Sequence, residues 1–570
     1  MTASARWLSL IRMAWTRWAA RGVTLASALQ LLACSQEPEG GADDGTSTGG
    51  TTAGLGGSGS GGGPTLPRPD FATRIGRLTH DQYQNTISDL FGIDDDVAQA
   101  FAPDALGGFR FDSSINHVVD SRLAEQYRTA AETLAERVAS DAEVFARVVP
   151  CDVTASDCAD EFIASFGRKA FRRPLSDAER ERFGLLFDEG ASLIESGDAF
   201  ADGVRVVVEA LLQSPDFLYR GELGTATNEN GRVILSSYEL ATRISYFLYN
   251  SMPDDALLEA ADSGALSDPS QVEAEVQRLL ENPDTLARIV AFHEQAFDFG
   301  RYSRIALDAE TFPDVPADIV SRALTASRLF VQDVVENGGG LVELLTAPYA
   351  FVDSELAPLY GADVAGDFER VDFDPAERAG LLTQVGFLAS HAYAKKTDPI
   401  HRGLFVVRDL LCVSIPEPPA GATMTPPPEG APDPQTTREE VEILTGQDGC
   451  VTCHSVINPP GFAFEAFDAA GVARTSEGDV SVDTGGSLEI DGENVTFAGA
   501  AELMVAVAES DAAHACYLNK WVEFAHGRQL ARDELTWLAE VPAKLSVLEL
   551  LPLIARDESF MTRPTNEVLP

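Results

Sequence analysis

The run Thr79-His-Asp-Gln-Tyr-Gln-Asn-Thr-Ile-Ser-Asp-Leu-Phe-Gly92 decides the fold class. Thr79 and Gln82 have capping-box spacing, Tyr83, Ile87, Leu90 and Phe91 share one helical face, and Gly92 provides a stop. The segment predicts an amphipathic helix with both ends marked. Similar starts recur at Ser176 with Glu179 and at Ser236 with Glu239, and helical periodicity covers about 119–139, 200–213, 270–297, 317–336 and 379–390. Strand-type alternation is scarce. Its best case is Val480 to Val495, punctuated by Gly485, Gly486 and Gly492, which predicts a small β-hairpin. The expected class is therefore mainly α, with several helical modules in tandem. Eight of the 31 prolines lie between Pro416 and Pro434, too dense for helix or central strand, so this stretch reads as a linker or surface strap.

At roughly 150 residues per domain, a chain of 570 residues exceeds one core and suggests three to four. Its 89 acidic residues against 42 basic ones give a formal charge of −47, which argues against nucleic acid, whose phosphates need clustered Lys and Arg. No window after the first forty residues has the roughly 18 unbroken apolar residues of a spanning helix. The start is different in kind. Arg6, Arg12, Arg17 and Arg21 precede a mostly apolar stretch from Gly22 to Ala33, the pattern of an export signal, and Leu31-Leu32-Ala33-Cys34 has the form of a bacterial lipobox. Cys34 is then the expected lipidation site, holding a soluble body on a membrane by acyl chains. Residues 40–63 contain 12 of the 47 glycines and read as a flexible tether. The expected location is exported, periplasmic or cell-surface, where disulfides are permitted.

The seven cysteines are Cys34, Cys151, Cys158, Cys412, Cys450, Cys453 and Cys516. Cys450-Val-Thr-Cys453-His454 has the C-x-x-C-H spacing of c-type haem attachment, in which two thiols meet two vinyl groups and the adjacent imidazole meets the iron. A zinc knuckle lacks its second ligand pair, and a thioredoxin-like centre lacks its βαβ setting. A plain Cys450–Cys453 disulfide stays open as the haem-free alternative. Thr437 to Thr445 reads as a helix entering the motif, and Asn458-Pro459-Pro460-Gly461 as a turn leaving it. Phe462, Phe464 and Phe467 are either cofactor walls or ordinary core, and a helix at 511–526 is expected behind them. For a second iron ligand, Met504 is the candidate carried forward, although it lies on the apolar face of a helix. Met424, His391, His401, His514 and His526 are further options.

Four cysteines remain, with three possible pairings; Cys151 with Cys158 is favoured as a local bridge, leaving Cys412 with Cys516. The basic knot Arg168, Lys169, Arg172 and Arg173 is read as pairing internally with Asp177, Glu179 and Glu181. Asp94, Asp95 and Asp96, and Asp479, Asp483 and Asp491, are weak Ca²⁺ candidates because no D-x-D-x-D-G loop with a distal Glu surrounds them. No G-x-S-x-G, H-E-x-x-H or P-loop occurs, so no reaction is assigned. One internal echo links Ala210-Leu-Leu-Gln-Ser-Pro-Asp-Phe-Leu-Tyr-Arg220 to Leu553-Ile-Ala-Arg-Asp-Glu-Ser-Phe-Met-Thr-Arg563; without a fixed period it does not define a repeat architecture.

Five runs carry a family resemblance: RLTHDQYQNTISDLFG from Arg77, FGRKAFRRPLSDAE from Phe166, LSSYELATRISYFLYNSMPDDALL from Leu235, GLLTQVGFLASHAYAKKTDPIHRG from Gly380 and CVTCHSVINPPGFAFEAFDAAG from Cys450. Together they resemble an exported multi-module family of planctomycetes and myxobacteria, built from domains of unknown function 1587, 1595, 1592, 1588 and 1585. After the signal peptide at 1–33 and the tether at 34–66 read from the residues above, the resemblance implies modules at 67–145, 146–225, 226–372, 373–475 and 476–570. It also implies a C-terminal cytochrome c-like helical portion, haem c on Cys450 and Cys453 with His454 as axial ligand, and c-type cytochromes or other exported redox proteins as partners. It supplies no substrate. The sequence departs from the family where Asn458-Pro459-Pro460-Gly461 replaces Asp-Pro-Leu-Gly and where His526 replaces a Leu. The leading expectation is a membrane-tethered, single-electron carrier; the alternative is a haem-free surface scaffold with a Cys450–Cys453 disulfide.

Overall fold

The computed structural model describes residues 74–104, 109–115, 117–417, 427–428 and 430–565. The signal, Cys34, the tether, Met424 and part of the Pro-rich strap lie outside these residues. The architecture is mainly α, with only two- and three-stranded sheets among the described residues. The opening run forms the helix His80–Phe91: Thr79 accepts from the Gln82 N–H, the Gln82 side chain closes the capping box, and Gly92 ends the helix in the left-handed region. Ser176 with Glu179 and Ser236 with Glu239 start helices in the same way.

Two expectations shift in detail. The periodicity over 270–297 resolves into Pro269–Leu280 and Pro283–Ala296, because Asn282 caps a new helix whose first residue is a proline without an N–H to give. The expected hairpin at 480–495 is displaced to Gly486–Ile490 paired with Glu493–Phe497. Asp491 and Gly492 both take positive φ there, as a two-residue hairpin turn demands, while Val480–Ser481 pairs instead with Ser476–Glu477.

The modules share cores. One apolar cluster runs from Phe111 through Phe292, Phe464, Trp521 and Phe560, so residues from both ends of the body fill one interior. A second, from Leu78 to Leu218, is nearly confined to the first 150 described residues and is joined by Tyr246. A third lies around Ala350 and Leu359. The basic knot pairs internally, largely with other carboxylates than those expected. Arg173 makes a two-pronged contact with Glu179 at 2.9 Å on both arms and meets Asp216 at 2.8 Å. Arg168 reaches Asp262, Lys169 reaches Asp255 at 3.2 Å, and Arg172 donates to the carbonyls of Asp216, Phe217 and Tyr219. Asp177 pairs with Arg180.

The internal echo is structural. Ser214 caps the one-turn helix Pro215–Leu218, which runs into strand Tyr219–Glu222; Asp557 caps Glu558–Met561, which runs into strand Thr562–Pro564. Each strand pairs antiparallel with one that introduces a capping-box helix: Arg77 lies opposite Tyr219, and Ile234 opposite Thr562. Even the next hydrogen bond repeats, Leu78 N–H to the Leu218 carbonyl at 2.9 Å and Leu235 N–H to the Met561 carbonyl at 3.4 Å. The helices so introduced align as Leu78-Thr79…Gln82…Ile87-Ser88 with Leu235-Ser236…Glu239…Ile244-Ser245. The body therefore contains one closure twice, once around residues 74–222 and once around 232–564. No fixed period appears because the second closure encloses a much longer stretch.

Candidate functional site

The C-x-x-C-H motif opens the helix Val451–Phe462, with Cys450 at the residue before its first turn. Spacing of three residues along a helix puts Cys450 and Cys453 on one side, and His454 follows directly. Both thiols are free and partly exposed, so the disulfide of the haem-free alternative is not formed. The preceding helix is Thr437–Thr445, as expected, with Thr436 accepting from the Glu439 N–H.

Asn458-Pro459-Pro460-Gly461 is not a turn: the helix continues through all four residues to Phe462. Proline's fixed φ near −65° is itself helical, and it is the lost N–H groups and ring contacts that disfavour it there. Packing holds the helix on course. Gly461 lies against the Pro399 carbonyl and Gly403 against the Ile457 carbonyl, so helix Pro399–Leu404 crosses the motif helix backbone to backbone. Beyond the motif, wholly buried Arg402 donates to the carbonyls of Leu388, His391, Phe464 and Asp468. Its burial pushes the guanidinium down to about 10, and burial raises the neighbouring Glu465 carboxyl, which holds Thr397 and Arg474 at 2.8 Å each.

Continuing the helix has a chemical consequence. Asn458 falls one turn after His454, and its Oδ1 lies 2.9 Å from His454 Nδ1. The Asn458 amide N–H donates to Thr445 Oγ1 at 2.8 Å, and the Thr445 hydroxyl donates to the Val441 carbonyl at 2.6 Å. Asn458 and Thr445 are buried, and His454 is half-buried at the helix surface. Sequence reading misses Asn458 and Thr445 because a Pro-Pro pair predicts the end of the helix. The available signal was the four-residue interval from His454 to Asn458.

The expected surroundings divide. Phe462, Phe464 and Phe467 are core: Phe462 packs under Arg438 at 4.7 Å, Phe464 beside Phe387 at 6.0 Å, and Phe467 under Arg378 at 4.8 Å. Helix Asp511–His526 packs on Pro283–Ala296 and on the π-helical segment Phe405–Leu410. Met504 is wholly buried in the main core. His391 and His526 are buried, with Nδ1 of His391 and both ring nitrogens of His526 engaged by carbonyls, and burial pushes each down to about 3. His401 holds Asp398 at 2.6 Å and His514 the Ala508 carbonyl at 2.9 Å. Cys151 bonds Cys158 and Cys412 bonds Cys516, each pair 5.5 Å apart at Cα. Of the Ca²⁺ candidates, Asp95 pairs with Arg137, Asp483 with Arg438, and Asp491 accepts the backbone N–H groups of Asp511 and Ala512. Among the described residues, no group of three or more His, Cys, Asp or Glu is arranged to hold a metal ion, and no helix is long and apolar enough to cross a membrane.

This fold and motif define a class: a mainly α, multi-module body with one C-x-x-C-H helix. Five family models, each described as a protein of unknown function, match the chain in order: DUF1587 at 76–140, DUF1595 at 158–222, DUF1592 at 235–362, DUF1588 at 378–477 and DUF1585 at 493–546. The chain has the five-domain composition read from its sequence. The DUF1588 model, which contains the motif, carries the short name PSCyt3. No curated protein and no solved structure matches the chain.

Proposed function

We propose that this chain is an exported, membrane-tethered, c-type cytochrome-like protein that passes single electrons. One observation carries the reading: two unbonded thiols and an imidazole stand at the start of one helix, at the spacing of covalent haem attachment. The donor set fits that group. Cys450 and Cys453 would hold it as thioethers, and His454 would ligate through Nε2, the ring nitrogen that Asn458 does not engage. Bound there, haem supplies a one-electron iron couple. The protein's own part is to fix the imidazole and to clamp the motif helix through Gly403 and Gly461. The name PSCyt3 points the same way.

In this reading Cys34 is the lipidated N-terminus, the body faces the periplasm or the cell exterior, and its partners are other exported redox proteins, including c-type cytochromes. Its strongly negative charge suits basic partners and does not suit nucleic acid. A second reading, a haem-free surface scaffold, draws support from Phe462, Phe464 and Phe467, which are spent on the core. Expression with c-type maturation machinery, followed by a haem-peroxidase stain of the denatured chain, separates the two. The proposal expects a stained band that Cys450→Ser with Cys453→Ser abolishes; an unstained wild-type band overturns it. Cys34→Ser should release the protein from the membrane fraction.

A further inference from the structure

We propose that Asn458 and Thr445 are positioning residues that lock His454 in one tautomer, and that the neutral amide at 458 sets how strongly this imidazole donates to a metal. The second half rests on the reading of His454 as an iron ligand; the first does not.

The polarity of the chain of hydrogen bonds follows from its far end. The Val441 carbonyl can only accept, so the Thr445 hydroxyl spends its one proton there, at 2.6 Å. Thr445 Oγ1 is left with lone pairs, and these accept the amide N–H of Asn458 at 2.8 Å. With its nitrogen committed, Asn458 turns its oxygen toward His454 Nδ1 at 2.9 Å. An amide oxygen has no proton to give. Nδ1 of the neutral imidazole must therefore carry the hydrogen, and Nε2 the lone pair.

Placement makes the lock effective. His454 and Asn458 stand one turn apart on Val451–Phe462, while Thr445 ends the preceding helix, so the relay also ties the motif helix to the helix before it. Asn458 and Thr445 are 7% and 8% exposed, which keeps water from supplying a competing donor. A metal-bound imidazole usually gives its other N–H to a carbonyl or carboxylate, and a charged acceptor makes the ring a stronger donor. Asn458 supplies the weaker, neutral acceptor.

The test uses the full mature chain. In the first arm, haem-free protein labelled with ¹⁵N-histidine is examined by long-range ¹H–¹⁵N correlation at about pH 8.5, above the ordinary imidazole pKa of about 6.5. His454→Gln assigns the signal. The expected wild-type result is a protonated Nδ1 and an imine-type Nε2; Asn458→Leu and Thr445→Val should both lose this state, and Thr445→Ser should keep it. A wild-type His454 that averages between tautomers, or an unchanged signal in Asn458→Leu, overturns the lock. In the second arm, the haem-loaded protein is titrated potentiometrically. Asn458→Asp should move the midpoint to lower potential while Thr445→Ser leaves it in place; an unmoved midpoint in Asn458→Asp overturns the tuning. If no variant or wild type takes up haem, the function proposed above fails, while the first arm still decides the tautomer.

Discussion

Gly403 and Gly461 meet without side chains between them: a Cβ on Gly461 would overlap the Pro399 carbonyl oxygen, and a Cβ on Gly403 the Ile457 carbonyl oxygen. The partners are backbone atoms, which cannot swing aside. Gly403→Ala or Gly461→Ala should therefore force the motif helix off helix Pro399–Leu404 and cost about 1–3 kcal/mol, the range for overpacking a well-filled contact. Urea unfolding monitors the loss, and haem staining of the same variants should weaken. A variant as stable as wild type would show that the crossing is not close-packed.

The Cys412–Cys516 bridge closes a sequence separation of 104 residues, and Cys151–Cys158 one of 7. Loop-closure entropy grows with the loop, so the long bridge should stabilise by about 4.7 kcal/mol, about 2.4 kcal/mol more than the short one. Cys412→Ser with Cys516→Ser should lower the urea midpoint well beyond Cys151→Ser with Cys158→Ser. Equal losses would place the stabilisation elsewhere.

What the sequence made legible, it made legible locally. Capping boxes at Thr79, Ser176 and Ser236 are self-contained signals, and their helices begin where those residues stand. The two bridges followed from a favoured short pair and the remainder. By contrast, Asn458 was invisible as a partner of His454, because a Pro-Pro pair reads as a helix end unless a crossing helix holds it. Of the duplicated closure, the echo of 210–220 in 553–563 was legible, but its pairing with 74–77 and 232–234 was hidden. Its two halves are brought together by antiparallel strands of three or four residues, too short to announce themselves, and the second half lies beyond the motif segment.

Lys520 is one turn from Cys516 on the same helix and is buried with its ammonium on the Asp409 carbonyl, facing Arg110, Arg408, the Asp409 carboxylate and Glu523. Burial, then Arg110, pushes its amine from 10.5 down to about 7. Between these values the unfolded chain holds a proton that the folded one has released, so stability rises with pH across about 7 to 10.5, by up to about 1.4 kcal/mol per pH unit for one proton. Below about 7 both states are protonated and the dependence vanishes. Lys520→Met should remove this slope: its urea midpoint relative to wild type should be highest near pH 7 and fall toward pH 10. A difference constant with pH would sink the assignment.

Phe217 and Phe560 hold equivalent places in the two closures. Each is wholly buried on the one-turn helix before the closing strand, with its ring near the capping-box helix: Phe217 is 5.8 Å from Tyr83, and Phe560 is 5.9 Å from Phe247. Truncating a buried Phe removes its transfer energy and leaves a cavity, so each change to Ala should cost about 3–5 kcal/mol. Location distinguishes them. The closures are tied by Arg243, which holds Glu222 at 2.6 Å and donates to the Phe560 and Thr562 carbonyls, and by Arg563, which donates to the Glu222 and Leu223 carbonyls. Tyr246, on the second closure's helix, also joins the first core, but each Phe stands on the turn that leads directly into its own closing strand. Hydrogen exchange should therefore show Phe217→Ala deprotecting mainly the Arg74–Arg77 strand and Phe560→Ala mainly Arg232–Ile234. If Phe560→Ala deprotects Arg74–Arg77 equally, the two strand pairs open as one cooperative unit, and their resemblance carries no independence of folding.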